Sequence, residues 1–96
     1  PVLVYANAAA LQLWGRPWAG IVGMPSRLTA PDDMRSERQL ALEVAQSQDA
    51  IRSYCGVRID RDGRRFVIRN ARIWTLWDEE QRSCGQAACF SDWWWI

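Results

Sequence analysis

The segment Val2–Leu28 constrains the fold more than any other part of the chain. The apolar residues Val2–Tyr5 favour an extended strand, and Asn7 is a good N-cap because its side-chain oxygen can accept an amide hydrogen from the next turn. The Ala- and Leu-rich run Ala8–Trp14 then predicts a short helix, which Gly15 can end in the left-handed conformation. The chain is therefore expected to open with a strand that leads directly into a short, capped helix.

Two further helices are predicted before residue 50. Pro17 suits the first turn of a very short helix that Gly23 ends, and the longest helical pattern runs from about Met34 to Gln48. Apolar residues at helical spacing form one stripe on this longer helix: Leu40, Ala41, Val44 and Ala45. We expect the stripe to pack on something flat.

After Asp49 the sequence period changes from helical to two. One parity is mostly apolar (Cys55, Val57, Ile59) and the other more polar (Tyr54, Arg58, Asp60), which predicts a half-buried strand. The tetrapeptide Arg61–Arg64 contains Asp-Gly and favours a tight hairpin. The chain is therefore expected to return antiparallel to this strand.

The partner strand is predicted from Arg65 to about Leu76. Phe66 and Ile68 have one parity and Ala71 and Ile73 the other, so we expect a bulge or face switch near Asn70. After a solvated turn, a last strand is predicted from Cys84 to about Trp93, which completes a three-stranded meander.

Composition excludes several classes of function. The chain of 96 residues has 12 basic residues, all Arg, against 11 acidic ones, and the net charge of +1 gives no field that would attract nucleic acid or an acidic membrane. The absence of histidine removes the commonest general base and metal ligand, so we expect neither an enzyme nor a metal site. Six arginines crowd the central hairpin, but strand alternation divides them between two faces, which favours solvated positions: Arg58, Arg61, Arg64, Arg65, Arg69 and Arg72.

The three cysteines predict a compartment. Cys55, Cys84 and Cys89 form no C-x-x-C pair, and an odd number suits a reducing environment, for which the cytoplasm is the default. No apolar run is long enough for a membrane span, and no signal-peptide pattern is present.

Several short motifs are spaced along the chain: Tyr5-Ala6-Asn7, Leu13-Trp14, Gly23–Thr29, Asp62-Gly63-Arg64, Gly85-Gln86-Ala87 and Phe90–Trp93. The order of elements resembles the PAS sensor domain, and these motifs resemble the PAS-related MEKHLA family more specifically. Members of that family occur as small bacterial and algal proteins and at the C-terminus of plant class III homeodomain leucine-zipper factors. The resemblance spans Val2–Ile96 and implies one α+β domain over residues 1–96.

The implied fold is an antiparallel sheet of five strands with three or four helices on one face. About four strands are visible in this sequence. Because the chain begins at Pro1, inside a predicted strand, we expect the missing strand to precede Val2 and to lie between the first visible strand and the last.

The implied function is that of a sensory module, in which a cavity between sheet and helices binds a small ligand whose identity the sequence does not give. The expected cavity residues are Trp14, Met24, Leu28, Val57, Phe66, Trp74, Ala88 and Phe90, with Ser26 and Gln86 as polar anchors. The alternative is a ligand-free domain that dimerises, or contacts an attached domain, through the sheet face and the cluster Trp93, Trp94 and Trp95.

Ser26 bears on which ligand is expected. It stands where light-sensing PAS domains have a flavin-reactive cysteine, and a hydroxyl cannot form that adduct, so we expect no adduct photochemistry. The alternative role for Ser26 is a local cap on the turn after Pro25.

Overall fold

Four strands form one open antiparallel sheet that is flanked by short helices. The computed structural model describes residues 1–96. The helices are α1 (Ala8–Trp14), α2 (Trp18–Ile21) and α3 (Arg35–Gln48), with 3-10 turns at Ser26–Thr29 and Asp32–Met34, and the strands are β1 (Ala50–Ile59), β2 (Arg65–Trp77), β3 (Ser83–Cys89) and β4 (Asp92–Trp95). This architecture confirms the predicted α+β class.

The last predicted strand is divided in two. β3 pairs with the second half of β2, where Ile73 lies opposite Ala88, and β4 pairs with the first half, where Phe66 lies opposite Trp95. The two pieces therefore continue one another along the same edge of β2, with a break at residues 90–91. The predicted meander is present, but its third strand is interrupted and extends to Trp95.

The N-terminal segment does not join the sheet, which corrects the predicted first strand. Residues 1–5, here called the strap, form a single bridge between Val2 and Pro25. The Leu3 amide donates to the Met24 carbonyl (2.9 Å), the Gly23 amide donates to the Leu3 carbonyl (2.7 Å) and the Ser26 amide donates to the Pro1 carbonyl (3.1 Å). The turn after α2 thus satisfies backbone groups that a neighbouring strand would otherwise satisfy.

Local hydrogen bonds hold α1 and the central hairpin as the sequence predicts. The Ala10 amide donates to Asn7 Oδ1 (3.0 Å), and Gly15 ends α1 at φ 70°. In the hairpin, Asp60 Oδ1 accepts from the amides of Asp62 (3.0 Å) and Arg64 (2.7 Å). These caps fix where the two elements end.

The expected face switch in β2 is present at Asn70. This residue has φ 55°, and between the pairs Gly56–Ile68 and Tyr54–Ala71 β2 contains one residue more than β1. As a result Ile68 and Ala71 are both buried although their parity differs.

The inward faces of β1 and α3 differ from those predicted. On β1 the buried residues are Tyr54, Gly56 and Arg58, whereas Cys55 is exposed, so Arg58 is not the solvated residue that its type suggested. On α3 the alanines Ala41 and Ala45 face the core. The two large apolar residues of the predicted stripe are 62% (Leu40) and 41% (Val44) exposed. Tyr54 and Arg58 take the inner face of β1, where the Tyr54 hydroxyl donates to Glu37 of α3 and Arg58 Nη2 donates to Tyr54.

An aromatic cluster fills the core at the opposite end of the sheet from the C-terminus of α3. Trp14 packs edge-to-face on Phe66 (ring centroids 5.2 Å apart) and on Phe90 (6.0 Å), and Phe66 packs on Trp95 (5.5 Å). These edge-to-face contacts pack the rings against one another, so their side chains form part of the core.

Candidate functional site

A cleft of about 610 Å³ lies between the strap, α3 and the inner face of β2 and β3. Half of its 16 lining residues are hydrophobic. Val2 and Val4 of the strap form one side, Leu42 of α3 lies on another, and Ile73 and Ala88 form the floor. The cleft is therefore a groove with an apolar and a polar part, and the strap helps to enclose it.

The floor of the cleft is fixed by hydrogen bonds between the sheet and α3. Thr75 and Gln86 are directly opposite one another on β2 and β3. The Thr75 hydroxyl donates to the Ala45 carbonyl (3.3 Å), and Gln86 Nε2 donates to the Leu42 carbonyl (2.9 Å). The Thr75 and Gln86 side chains also line the cleft. Each donates a hydrogen to α3, and its oxygen atom can still accept a hydrogen bond from a ligand.

Arg38 is the one charged side chain that lines the cleft. No carboxylate lies within 4.0 Å of its guanidinium. Burial lowers the pKa of Arg38, and the charge of nearby Arg58 lowers it further, while Tyr54 has the opposite effect. The cleft thus presents a half-buried cation that has no carboxylate partner.

Arg58 lies in the interior close to Arg38 and is only 6% exposed. Its Nη1 donates to the Val57 carbonyl (2.9 Å), and its Nη2 donates to Tyr54 Oη at 3.4 Å. No carboxylate lies within ion-pair distance of Arg58 either. Two guanidinium groups are therefore held at this site without an acidic partner.

Tyr54 connects this basic pair to the only nearby acid. Its hydroxyl donates to Glu37 Oε2 (3.0 Å), and its ring lies 5.4 Å from the guanidinium carbon of Arg58. Burial raises the pKa of Tyr54; the neighbouring Arg58 opposes the rise and Glu37 adds to it. The Glu37 carboxylate is thus engaged by the tyrosine and forms no ion pair with either arginine.

A second, shallower groove of about 510 Å³ lies on the outer side of α3 and shares Arg38 with the cleft. Its other basic residues are Arg27 and Arg35, and Arg35 is already paired with Asp32. One of the residues that line it is hydrophobic, so this groove offers little apolar surface to a ligand.

The structure brings three of the ten expected cavity residues to the cleft: Ser26, Gln86 and Ala88. Trp14, Phe66 and Phe90 belong to the aromatic core instead. Met24 and Leu28 are half-buried beside the strap and in the following 3-10 turn, outside the cleft wall. Val57 and Trp74 alternate with buried neighbours and so lie on the opposite face of the sheet.

The polar anchors have different surroundings. Ser26 is 6% exposed and begins a 3-10 turn that has no side-chain cap, so the predicted local cap by Ser26 is absent. It is the Thr29 hydroxyl that donates within this turn, to the Ser26 carbonyl (2.7 Å). The Ser26 side chain is free to contribute to the cleft.

Sequence reasoning missed Arg38, the strap and Thr75 as parts of the cleft. The signal for Arg38 was present, because it precedes Ala41 by three positions and Ala45 by seven, which places all three on one face of α3. A polar residue on the same helix face as two core-facing alanines is expected nearer to the interior than its residue type alone suggests.

The structure contains neither a cluster of metal ligands nor a helix suited to a membrane. No three His, Cys, Asp or Glu side chains come together in a way that would hold a metal ion. None of the helices combines the length and the apolarity that crossing a bilayer requires. Cys55, Cys84 and Cys89 are all free and exposed.

Comparison with known proteins assigns the family to which this fold and cleft belong. No curated protein matches the chain. A family model described as the MEKHLA domain matches residues 1–95, a range that includes the strap, α3, the cleft and the aromatic core. The chain therefore belongs to the MEKHLA domain family.

Proposed function

We propose that this MEKHLA domain is a non-catalytic, PAS-like sensory module that binds a small molecule in the cleft. The main support is the cleft itself, whose volume of about 610 Å³ is within the range of small-molecule sites and half of whose lining residues are hydrophobic. Ser26, Thr75 and Gln86 add a few polar groups that would orient a ligand. The absence of histidine supports a binding role over catalysis.

The strap provides a route by which occupancy would be relayed. Val2 and Val4 form part of the cleft wall, while the strap is attached to the rest of the fold by its hydrogen bonds to the turn at Gly23–Ser26 and by edge-to-face packing of Tyr5 on Trp18. A ligand in the cleft would press directly on this segment. Because the strap belongs to no sheet strand, it can move without breaking the sheet.

Blocking the cleft tests the proposal. Ala88 lies on the cleft side of β3, and its neighbour Cys89 pairs with Arg72 on the other face. We expect native mass spectrometry of the wild-type protein, purified under mild conditions, to show a retained small molecule that Ala88→Trp loses and Cys89→Trp keeps. Retention in Ala88→Trp, or no retained mass and no stabilisation by any member of a metabolite library in thermal-shift assays, would contradict ligand binding in the cleft.

A second candidate function is a ligand-free dimerisation domain. It is favoured by a row of apolar residues across the outer sheet face, where Val57 pairs with Val67, Val67 pairs with Trp94, and Trp94 is 40% exposed. Sedimentation velocity over a range of protein concentrations distinguishes the two. A dimer that Trp94→Arg dissociates, combined with an empty cleft, would favour this candidate.

The proposal includes a reducing compartment such as the cytoplasm. The three cysteines are free and exposed, and in an oxidising compartment they would be open to intermolecular disulfide formation. Thiol titration of the protein isolated under alkylating conditions tests this, with three alkylated cysteines as the expected result.

A further inference from the structure

We infer that the cleft binds an amphipathic anion, whose carboxylate or phosphate group pairs with Arg38 and whose apolar part lies along Leu42, Ile73 and Ala88. This inference rests on the proposed function, since it names the chemical class of the ligand for the same cleft. It follows from the charge of the site, the engagement of its neighbours and the distribution of apolar surface.

The Arg38 guanidinium has no anionic partner within the protein. A guanidinium that leaves water loses hydration, and the loss is offset only where an acceptor or an anion replaces it. The structure provides no carboxylate within 4.0 Å of Arg38, although six ion pairs form elsewhere in the molecule. The missing countercharge is what an anionic ligand would supply, and the planar guanidinium is suited to carboxylate and phosphate.

The local charge around Arg38 is positive. On the cleft side the titratable and charged groups near it are Arg58 and Tyr54 on β1 and Glu37 on α3, while Arg27, Arg35 and Glu43 line the shallower groove that Arg38 also borders. Tyr54 is neutral at pH 7 and uses the Glu37 carboxylate as its acceptor, so the two arginines exceed the acids by one charge. The Glu43 carboxylate lies on the shallower groove and accepts from Gln39 at 3.4 Å. The field in the cleft therefore favours an anion and disfavours a cation.

The rest of the cleft lining is uncharged and partly apolar. Away from Arg38 the cleft has no charged side chain, and half of its lining residues are hydrophobic, among them Val2 and Val4 of the strap, Leu42 of α3 and Ile73 of β2. A fully polar anion such as inorganic phosphate would leave this surface uncovered. A molecule with one anionic end and an apolar body would pair with Arg38 and also cover the apolar surface of the cleft.

The experiment compares octanoate and octyl phosphate with the neutral octan-1-ol, by calorimetric titration into the wild-type domain and into Arg38→Met. Methionine keeps an unbranched apolar stem and removes the charge. The matched control is Arg27→Met, because Arg27 borders the shallower groove and does not line the cleft. Loss of a charge-assisted hydrogen bond of about 1.5–3 kcal/mol corresponds to roughly a tenfold to hundredfold change in affinity.

We expect at least one of the two anions to bind the wild type and Arg27→Met about tenfold or more tightly than octan-1-ol, and Arg38→Met to lose that preference. The anion that binds more tightly identifies the head group as carboxylate or phosphate. Equal binding of anions and alcohol, abolished by Ala88→Trp, would overturn the inference and leave the proposed function standing. Binding of no probe, with a co-purified neutral molecule in the wild type, would have the same meaning.

A measurement on the wild-type protein covers the case in which Arg38→Met does not fold. Two-dimensional NMR of the arginine Nε–Hε groups reports directly on guanidinium contacts. We expect octanoate or octyl phosphate to shift the Arg38 resonance and octan-1-ol to leave it in place. An Arg38 resonance that responds to none of the three probes, while cleft methyl groups do respond, would overturn the inference.

Discussion

At the scale of single residues, Gly56 leaves room for the Tyr54 ring on the inner face of β1. A Cβ at position 56 would lie 2.8 Å from Tyr54 Cζ, which is closer than real side chains pack. We expect Gly56→Ala to destabilise the fold by about 1–3 kcal/mol, the usual range for overpacking a core. The measurement is urea-induced unfolding.

A double-mutant cycle separates this packing effect from a simple change in strand propensity. In a Tyr54→Leu background the displaced ring is absent, so Gly56→Ala should cost clearly less than in the wild type. The exposed neighbour Cys55 provides the control, and Cys55→Ala should change the free energy of unfolding by less than about 0.5 kcal/mol. Equal costs of Gly56→Ala in both backgrounds would contradict the proposed contact.

Tyr54 also makes stability depend on alkaline pH. Burial raises its pKa in the folded state above the ordinary value, with Arg58 opposing this change and Glu37 reinforcing it. A tyrosine in the unfolded chain ionises at a pH of about 10. Above that pH the unfolded chain binds fewer protons than the folded chain, so the free energy of unfolding falls as the pH rises. Tyr54→Phe should fall less steeply through this range in urea titrations at successive pH values. A Tyr54→Phe protein with the wild-type slope would show that this tyrosine is not responsible.

At the scale of elements, the bulge at Asn70 lets one strand contribute both of its faces to the core. Asn70 adopts φ 55°, a conformation that asparagine and glycine tolerate and β-branched residues do not. We expect Asn70→Gly to change the free energy of unfolding by less than about 1 kcal/mol and Asn70→Val to lower it by on the order of 1–2 kcal/mol. Thermal and urea unfolding check both values. Equal stability of the two variants would contradict a role for the left-handed backbone.

Elements determined by neighbouring residues could be predicted from the sequence. The Asn7 cap, the Asp60–Arg64 turn and the bulge at Asn70 depend on side chains within a few positions, and all are present in the structure. The strap could not be predicted in the same way, because an apolar β-favouring run looks the same whether it pairs with a sheet or with the turn at Gly23–Ser26.

The candidate site was less predictable because it depends on which face each element turns inward. Val57 was expected in the cavity on the strength of its apolar parity, yet Tyr54 and Arg58 occupy the inner face. The Tyr54 hydroxyl reaches a partner that is distant in sequence, the Glu37 carboxylate of α3. A half-buried strand with one aromatic and one long basic residue on the same parity leaves both orientations open until the helix is placed.

At the scale of the whole molecule, the strap couples the cleft to the turn that follows α2. Its hydrogen bonds involve the amides of Leu3, Gly23 and Ser26, and its Val2 and Val4 side chains line the cleft. Octanoate or octyl phosphate, whichever binds, should therefore slow hydrogen exchange of these three amides by holding the strap in place. Amides of the distant β1–β2 hairpin, such as Arg64, should keep their rates apart from any global stabilisation. Mass spectrometric or NMR exchange measurements, with Ala88→Trp as the blocked control, give the comparison. Uniform protection across the chain would mean that the ligand stabilises the fold without a specific effect on the strap, and faster exchange at Gly23 and Ser26 would mean that the ligand displaces it.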